Sequence, residues 1–271
     1  MIKLVVSDMD GTFLDDEKSI SEENKKAVGL LKEKDIHFCI CTGRLYASAH
    51  LIAQELGNEF PIISCNGGFI KNPSTDRILY HKPLPTELAK TIVETIMKYD
   101  VVFHFYNEDT VFSNKKEYTA KTYINRFEHL EEKPVKVVVS EKIADYVNDK
   151  IYKVILFTND GAVLQSIWDE LKSLTGVVIT QSHHNNLEIV SDNVSKGNAV
   201  RMLADELGIT SDEIFVIGDQ MNDMSMFTAA KYSVAMGNGT DALKEKAYFV
   251  TKDNNQSGFA HAVNRLVLGK E

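Results

Sequence analysis

Two aspartates spaced two residues apart, Asp8 and Asp10, follow the apolar run 2–6 and precede Gly11 and Thr12. In an extended chain, positions two apart project to the same side, and a glycine permits the sharp turn that exposes them. Adjacent carboxylates repel and raise one pKa unless a cation neutralises them, so the pair asks for a metal or a shared proton. Taken alone, it reads equally well as two solvated turn residues. A second acidic turn, Gly218-Asp219-Gln220-Met221-Asn222-Asp223, follows the apolar run 214–217. Hard Mg2+ favours a few carboxylates together with water and phosphate oxygens, and Asp8, Asp10 and Asp219 supply that minimal set. Thr42-Gly43 follows a third apolar run, and Ser195-Lys196-Gly197 opens a helical stretch. A hydroxyl and a glycine amide at a helix start suit a phosphate oxygen, and a lysine offsets charge developing on a phosphoryl group. Separately, these two are a routine helix cap and a solvated surface lysine.

Short apolar runs at 2–6, 38–41 and 61–64 alternate with amphipathic stretches at 21–34 and 46–56. This predicts a parallel sheet covered on both faces. The same style returns at 196–207, 214–217, 223–230, 233–236 and 248–250. In such sheets, ligands bind beyond the carboxyl ends of the strands, where three of the four motifs fall. Between them lies a mixed block: helices at 86–99, 115–127 and 161–174, a hairpin across 107–109, and strands at 101–106, 110–113, 135–139, 153–159, 177–181 and 187–190. The expected organisation is an α/β doubly wound core, 1–82 and 187–271, interrupted by an α+β insertion at 83–186. An insertion of this kind requires its two ends to lie close together.

With all four motifs in order, the chain resembles the haloacid dehalogenase-like phosphohydrolases, specifically the Cof-type branch with a C2B cap. Cys65-Asn66-Gly67-Gly68 is similar to that branch's Asn-Gly loop before the cap. The resemblance implies a Mg2+-dependent phosphatase acting on small organic phosphate monoesters, such as sugar phosphates, flavin mononucleotide or pyridoxal phosphate. It implies Asp8 as the nucleophile that becomes an aspartyl phosphate. Asp10 resembles the acid/base that serves both half-reactions. The metal set would be the carboxylates of Asp8 and Asp219 with the backbone carbonyl of Asp10. The phosphate cradle would be the amides of Met9 and Gly43, the Thr42 hydroxyl, Lys196 and Asn222, with Asp223 orienting Lys196 or a metal-bound water. His104 and Tyr106 share one face of the run 101–106 and are candidates for substrate contact, or else line the solvent side of the sheet. A phosphomutase of the same superfamily and a receiver-type phospho-acceptor module are the alternatives.

The formal charge of -9 and pI near 5.4 disfavour a nucleic-acid partner, which needs a basic surface. No apolar stretch approaches membrane-spanning length, and no export signal is recognised, so a cytoplasmic protein is expected. Cys39, Cys41 and Cys65 form no CxxC pair and read as buried small hydrophobes. The run Gly237-Asn238-Gly239-Thr240-Asp241-Ala242 matches a dinucleotide fingerprint, but it lacks the following strand and acid and reads as a tight loop under the phosphate site. His183-His184 reads as a polar turn. Oligomeric state and the physiological ester are not written in the sequence.

Overall fold

The computed structural model describes residues 1–270. Five parallel strands form the central sheet, in the order Phe249–Val250, Tyr232–Ala235, Ile214–Gly218, Leu4–Ser7 and His37–Ile40. Their near-continuous apolar runs suit a sheet covered on both faces. On one side, Val5, Phe38 and Phe215 pack against the helices Glu22–Glu33, Tyr46–Glu55 and Gly258–Leu266. On the other, Leu4, Val6, Cys39 and Val216 meet Lys196–Leu207 and Met224–Phe227. The three cysteines are free and buried.

The inserted block builds a six-stranded sheet in the order Val177–Thr180, Asn186–Ser191, Lys153–Phe157, Val102–Tyr106, Thr110–Ser113 and Lys136–Val139. Every pairing is antiparallel except the last. Side chains alternate as a pleated strand requires. Phe103, Phe105, Val154 and Leu156 pack under the helices Thr86–Ile96 and Gly161–Leu171. The opposite face carries Tyr106 and Ile155, beside the helix Tyr118–Phe127. The hairpin turn at 107–109 is held by the Asn107 side chain, whose Oδ1 accepts from the amides of Asp109 and Thr110. At the base of the insertion, Lys82 and Asp192 form an ion pair at 2.6 Å, which brings its two ends together.

Two expectations change. The run 61–64 does not simply extend the parallel sheet. A lone parallel bridge joins Ile63 to Cys41, and Ile62–Ser64 then pairs antiparallel with Phe69–Lys71, which pairs with Ile78–His81. The return to the parallel part also falls later than residue 187. Asn186–Ser191 is hydrogen-bonded within the inserted sheet, because its register with Lys153–Phe157 satisfies its backbone there. Among the described residues, no helix is long and apolar enough to cross a membrane.

Candidate active site

The strand Leu4–Ser7 ends at Asp8, whose amide donates to the carbonyl of Ile217 on the neighbouring strand. The chain then turns sharply through Gly11, which has φ +76°. A side chain there is excluded twice over, since a Cβ would also lie 2.6 Å from Asp219 Oδ2. Thr12 Oγ1 donates to Asp219 Oδ1 at 2.8 Å, tying the two acidic turns together. Asn238 and Thr240 brace them from below: Asn238 Nδ2 donates to the Gly11 carbonyl, and the Thr240 amide to that of Asp219. The glycine-rich loop 237–242 is thus a support under the site.

Lys196 opens its helix behind Ser195, whose hydroxyl caps the Asn198 amide. Its ammonium is sealed in the centre of the cluster, 2.6 Å from Asp8 Oδ1 and 2.5 Å from Asp223 Oδ1. Burial opposes its charge, but Asp223 and Asp8 outweigh that and hold its pKa well above the usual lysine range. The second oxygen of Asp223 accepts the amides of Asp219 and Gln220, so this carboxylate orients both the lysine and the loop. One oxygen each of Asp8, Asp219 and Asp223 lie within 4.8 Å of one another. Burial, with Asp223 and Asp219 adding repulsion, pushes the Asp8 carboxyl well above its usual range despite Lys196. Burial and Asp223 raise Asp219 to about 6. Three hard oxygen donors with more negative charge than Lys196 balances are a fitting seat for a divalent cation.

The Asp10 side chain points elsewhere. Arg44 grips it with two hydrogen bonds of 2.6 Å, from Nε and Nη2, and Lys18 Nζ lies 3.2 Å away. Burial would raise its pKa, but the bonds and charge of Arg44 prevail and hold it at about 2. Arg44 stood beside Thr42-Gly43 in the sequence without an assigned role. Only the fold shows that its planar fork meets a carboxylate 34 residues away. Thr42 and Gly43 lie on the same rim. Thr42 Oγ1 accepts the Arg44 amide at 3.2 Å, and Asn222 Nδ2 donates to Asn66 Oδ1 at 3.4 Å. Met9 buries its side chain completely, leaving only its backbone for the site.

Asp8, Asp10, Thr42, Gly43, Arg44, Asp219 and Asn222 line one wall of a cleft of about 560 Å3, with Lys196 and Asp223 buried behind them. The inserted block makes the other wall with Tyr106, Tyr118, Thr119, Thr122, Tyr123, Arg126, Phe157 and His183. Five of these come from successive turns of one helix face, as 3.6-residue periodicity requires. Of the two residues singled out for substrate contact, Tyr106 lines the cleft and His104 does not. His104 is fully buried, its Nδ1 bonded to Ser113 Oγ and its ring against Phe157. It therefore lies neither on the solvent side of the sheet nor at the rim, because the helix Tyr118–Phe127 and its leading loop cover that face. Sequence reasoning also missed Lys153 and Glu188, a buried ion pair at 3.0 Å beside Gly43. Their signal was present: each is a charge inside an apolar run, at a position whose alternation turns it inward.

A family model described as haloacid dehalogenase-like hydrolase matches residues 5–263. The chain belongs to this family. A 5-amino-6-(5-phospho-D-ribitylamino)uracil phosphatase of Bacillus subtilis is 31% identical, with 99% of each chain covered. A pyridoxal phosphate phosphatase of Escherichia coli is 27% identical over 96% of this chain and 97% of its own. The crystal structure of a haloacid dehalogenase-like hydrolase from Bacteroides thetaiotaomicron superposes with a TM-score of 0.84 at 26% identity, covering 98% of this chain and all of the other. The protein is a Cof-type phosphatase of this family.

Proposed function

We propose that this phosphatase cleaves phosphate monoesters of small, polar, ring-bearing or polyol alcohols through an aspartyl phosphate on Asp8. The observation that carries the reading is Lys196 fixed between Asp8 and Asp223, with Asp219 alongside. It aims one oxygen of Asp8 and leaves the other for phosphorus. In the first half-reaction, Asp8 attacks in line and the bond from phosphorus to the ester oxygen breaks; Asp10, released from Arg44 and entering as the protonated acid, delivers its proton to the departing alkoxide. In the second, Asp10 takes a proton from water, whose oxygen attacks phosphorus and frees Asp8 and inorganic phosphate. In the structure Arg44 holds Asp10 as the carboxylate, so both proton transfers require this grip to loosen when the ester binds. The amides of Met9 and Gly43, the Thr42 hydroxyl, Lys196 and Asn222 receive the phosphoryl oxygens, where preorganised donors are most effective. Mg2+, held by Asp8, Asp219 and the Asp10 carbonyl, would neutralise phosphate charge when bound.

The block around 83–186 is read as a lid that selects the alcohol and excludes water. The cleft's aromatic and hydroxyl wall supports a heterocyclic or polyol leaving group, and the names of the Bacillus and Escherichia relatives point the same way. A panel of sugar phosphates, nucleotides, flavin mononucleotide, pyridoxal phosphate and p-nitrophenyl phosphate tests the proposal. Phosphate release is expected only with Mg2+, and none from Asp8→Asn, whose amide cannot accept a phosphoryl group. Conversion of an ester to its isomer, or capture of a single equivalent, would replace hydrolysis by a mutase or receiver reading. Full turnover in Asp8→Asn would remove Asp8 from the mechanism.

A further inference from the structure

Lys153 and Glu188 take no part in the chemistry just outlined, yet they are almost sealed from water at 3% and 4% exposure. Both lie on the inserted sheet, on neighbouring strands. Hydrophobic residues of similar volume often pack as stably as such a pair, so its position needs a reason beyond stability. Its partners supply one. Lys153 Nζ donates to Glu188 Oε2 at 3.0 Å and to the backbone carbonyl of Gly43 at 2.9 Å. Glu188 Oε2 accepts from Asn66 Nδ2 at 2.5 Å, and its Oε1 from Ser182 Oγ at 2.7 Å. Gly43 and Asn66 belong to the two loops beyond the strands His37–Ile40 and Ile62–Ser64, on the rim that holds Asp8.

These contacts immobilise the peptide that shapes the cradle. The Gly43–Arg44 peptide is held on both sides, its carbonyl by Lys153 and its N–H by Thr42 Oγ1. The latter bond uses the Thr42 oxygen as acceptor and leaves its O–H to donate outward. Asn66 sits at φ +57°, and its side chain touches Asn222, another cradle residue. A Cβ at position 43 would lie 2.8 Å from Asn66 Oδ1 and 3.2 Å from Lys153 Nζ, so the three groups close around that glycine.

We propose that Lys153 and Glu188 are positioning residues for phosphoryl transfer: from the inserted sheet they lock the Gly43 and Asn66 loops into phosphate-receiving shape. The cradle is then complete only when the inserted block is seated, and turnover of every ester depends on it, including esters too small to touch the lid. This rests on the phosphatase reading above. It differs from the simpler view that the insertion only sorts substrates.

The test compares Lys153→Met, Glu188→Gln and the double variant in the full-length protein with Mg2+. Activity is followed on p-nitrophenyl phosphate and on the best ester of the panel. Lys153→Met is expected to lower kcat on both by roughly 10- to 100-fold, the scale of losing a partner that orients a catalytic group. It also leaves Glu188 buried and unpaired, so Tm falls. The double variant removes both charges; Tm recovers while kcat stays low, and inorganic phosphate inhibits more weakly than in the wild type. Recovery of kcat together with Tm would overturn the proposal, because the pair would then matter for packing alone. A loss confined to the larger ester would also overturn it, since Lys153 would then be reading the alcohol. Should either lysine variant fail to fold, Glu188→Gln decides: it keeps the shape but removes the charge that fixes Lys153 against Gly43 and Asn66, so kcat should fall on both esters, and an unchanged kcat there refutes positioning. A wild-type protein silent on every ester would sink the phosphatase reading instead, so the two failures are distinguishable.

Discussion

Lys196→Met tests the electrostatic centre of the site. The ammonium lies 2.6 Å from Asp8 and 2.5 Å from Asp223 and is 1% exposed. At an effective dielectric of about 20, each contact is worth about 6 kcal/mol of attraction, roughly 13 kcal/mol together. Removing three charges from water costs several kcal/mol per ion, which offsets most of that gain. Deleting one partner leaves the acids buried without the attraction, and such deletions cost about 3–5 kcal/mol. For a chain of this size, that corresponds to a fall in Tm of roughly 10 °C. The sign of the pH dependence follows from linkage. The folded-state pKa of Lys196 is raised, so its contribution is present below the unfolded lysine value and persists through neutrality. Asp8 and Asp219 also have raised pKa values, so the folded state gains stability as they take up protons, Asp219 doing so below about pH 6. Without the lysine this gain is larger, and the gap from wild type should narrow from pH 8 to pH 5. Scanning calorimetry across that range, with Lys172→Met as an exposed control worth under about 1 kcal/mol, measures it. Turnover should drop by roughly 100-fold. A variant with wild-type Tm at pH 8 and near-normal kcat would show that the buried lysine holds neither the carboxylates nor the phosphate.

Arg126 lines the cleft and forms no ion pair among the described residues, so Arg126→Ala should lower kcat/KM by about 10-fold for alcohols bearing a carbonyl or anionic acceptor. Hydrolysis of p-nitrophenyl phosphate should be unaltered, and equal losses on both would exclude a role in selection. Gly197→Ala would place a Cβ 2.0 Å from the Ser225 carbonyl oxygen, so urea denaturation should show a loss of about 2 kcal/mol or more; an unmoved midpoint would mean that the two helices part freely. His104 is held neutral in the folded state, with burial lowering its pKa to about 4. The unfolded chain binds the extra proton between about pH 4 and 6.5, so stability rises with pH across that window, by about 3 kcal/mol in all. In His104→Leu the dependence of Tm on pH over that range should flatten, and an unchanged slope would assign it to other groups.

What the sequence revealed of this site was local. Asp8, Asp219, Thr42 and Lys196 each stand next to the strand or helix that positions them, so an apolar run followed by a reactive residue was enough to find them. Partnerships across the fold carried no such mark. Nothing adjacent to Arg44 announces that it closes on Asp10, and nothing near Asn66 announces Glu188. The alternation in 101–106 correctly separated Phe103 and Phe105 from His104 and Tyr106. It could not show that a helix would cover the second face and bury His104 while leaving Tyr106 at the cleft. The late return from the insertion has a similar cause, since the run 187–190 is equally apolar in either sheet and only its hydrogen-bonding partners decide.

The position of the strand Leu4–Ser7 also bears on how the molecule assembles. It is synthesised before every other strand described, yet it lies inside its sheet, with Leu4 paired to His37 on one side and to Ile214 on the other. The second partner is synthesised only after the whole insertion. Until then the strand that carries Asp8 has an open edge, a condition that favours mispairing with other chains. The inserted sheet draws all of its strands from within residues 102–191 and can form meanwhile. Its nearer contacts make it the faster unit. A block able to close on itself, with its ends drawn together at Lys82 and Asp192, shortens the distance that this late strand must cover to reach the open edge.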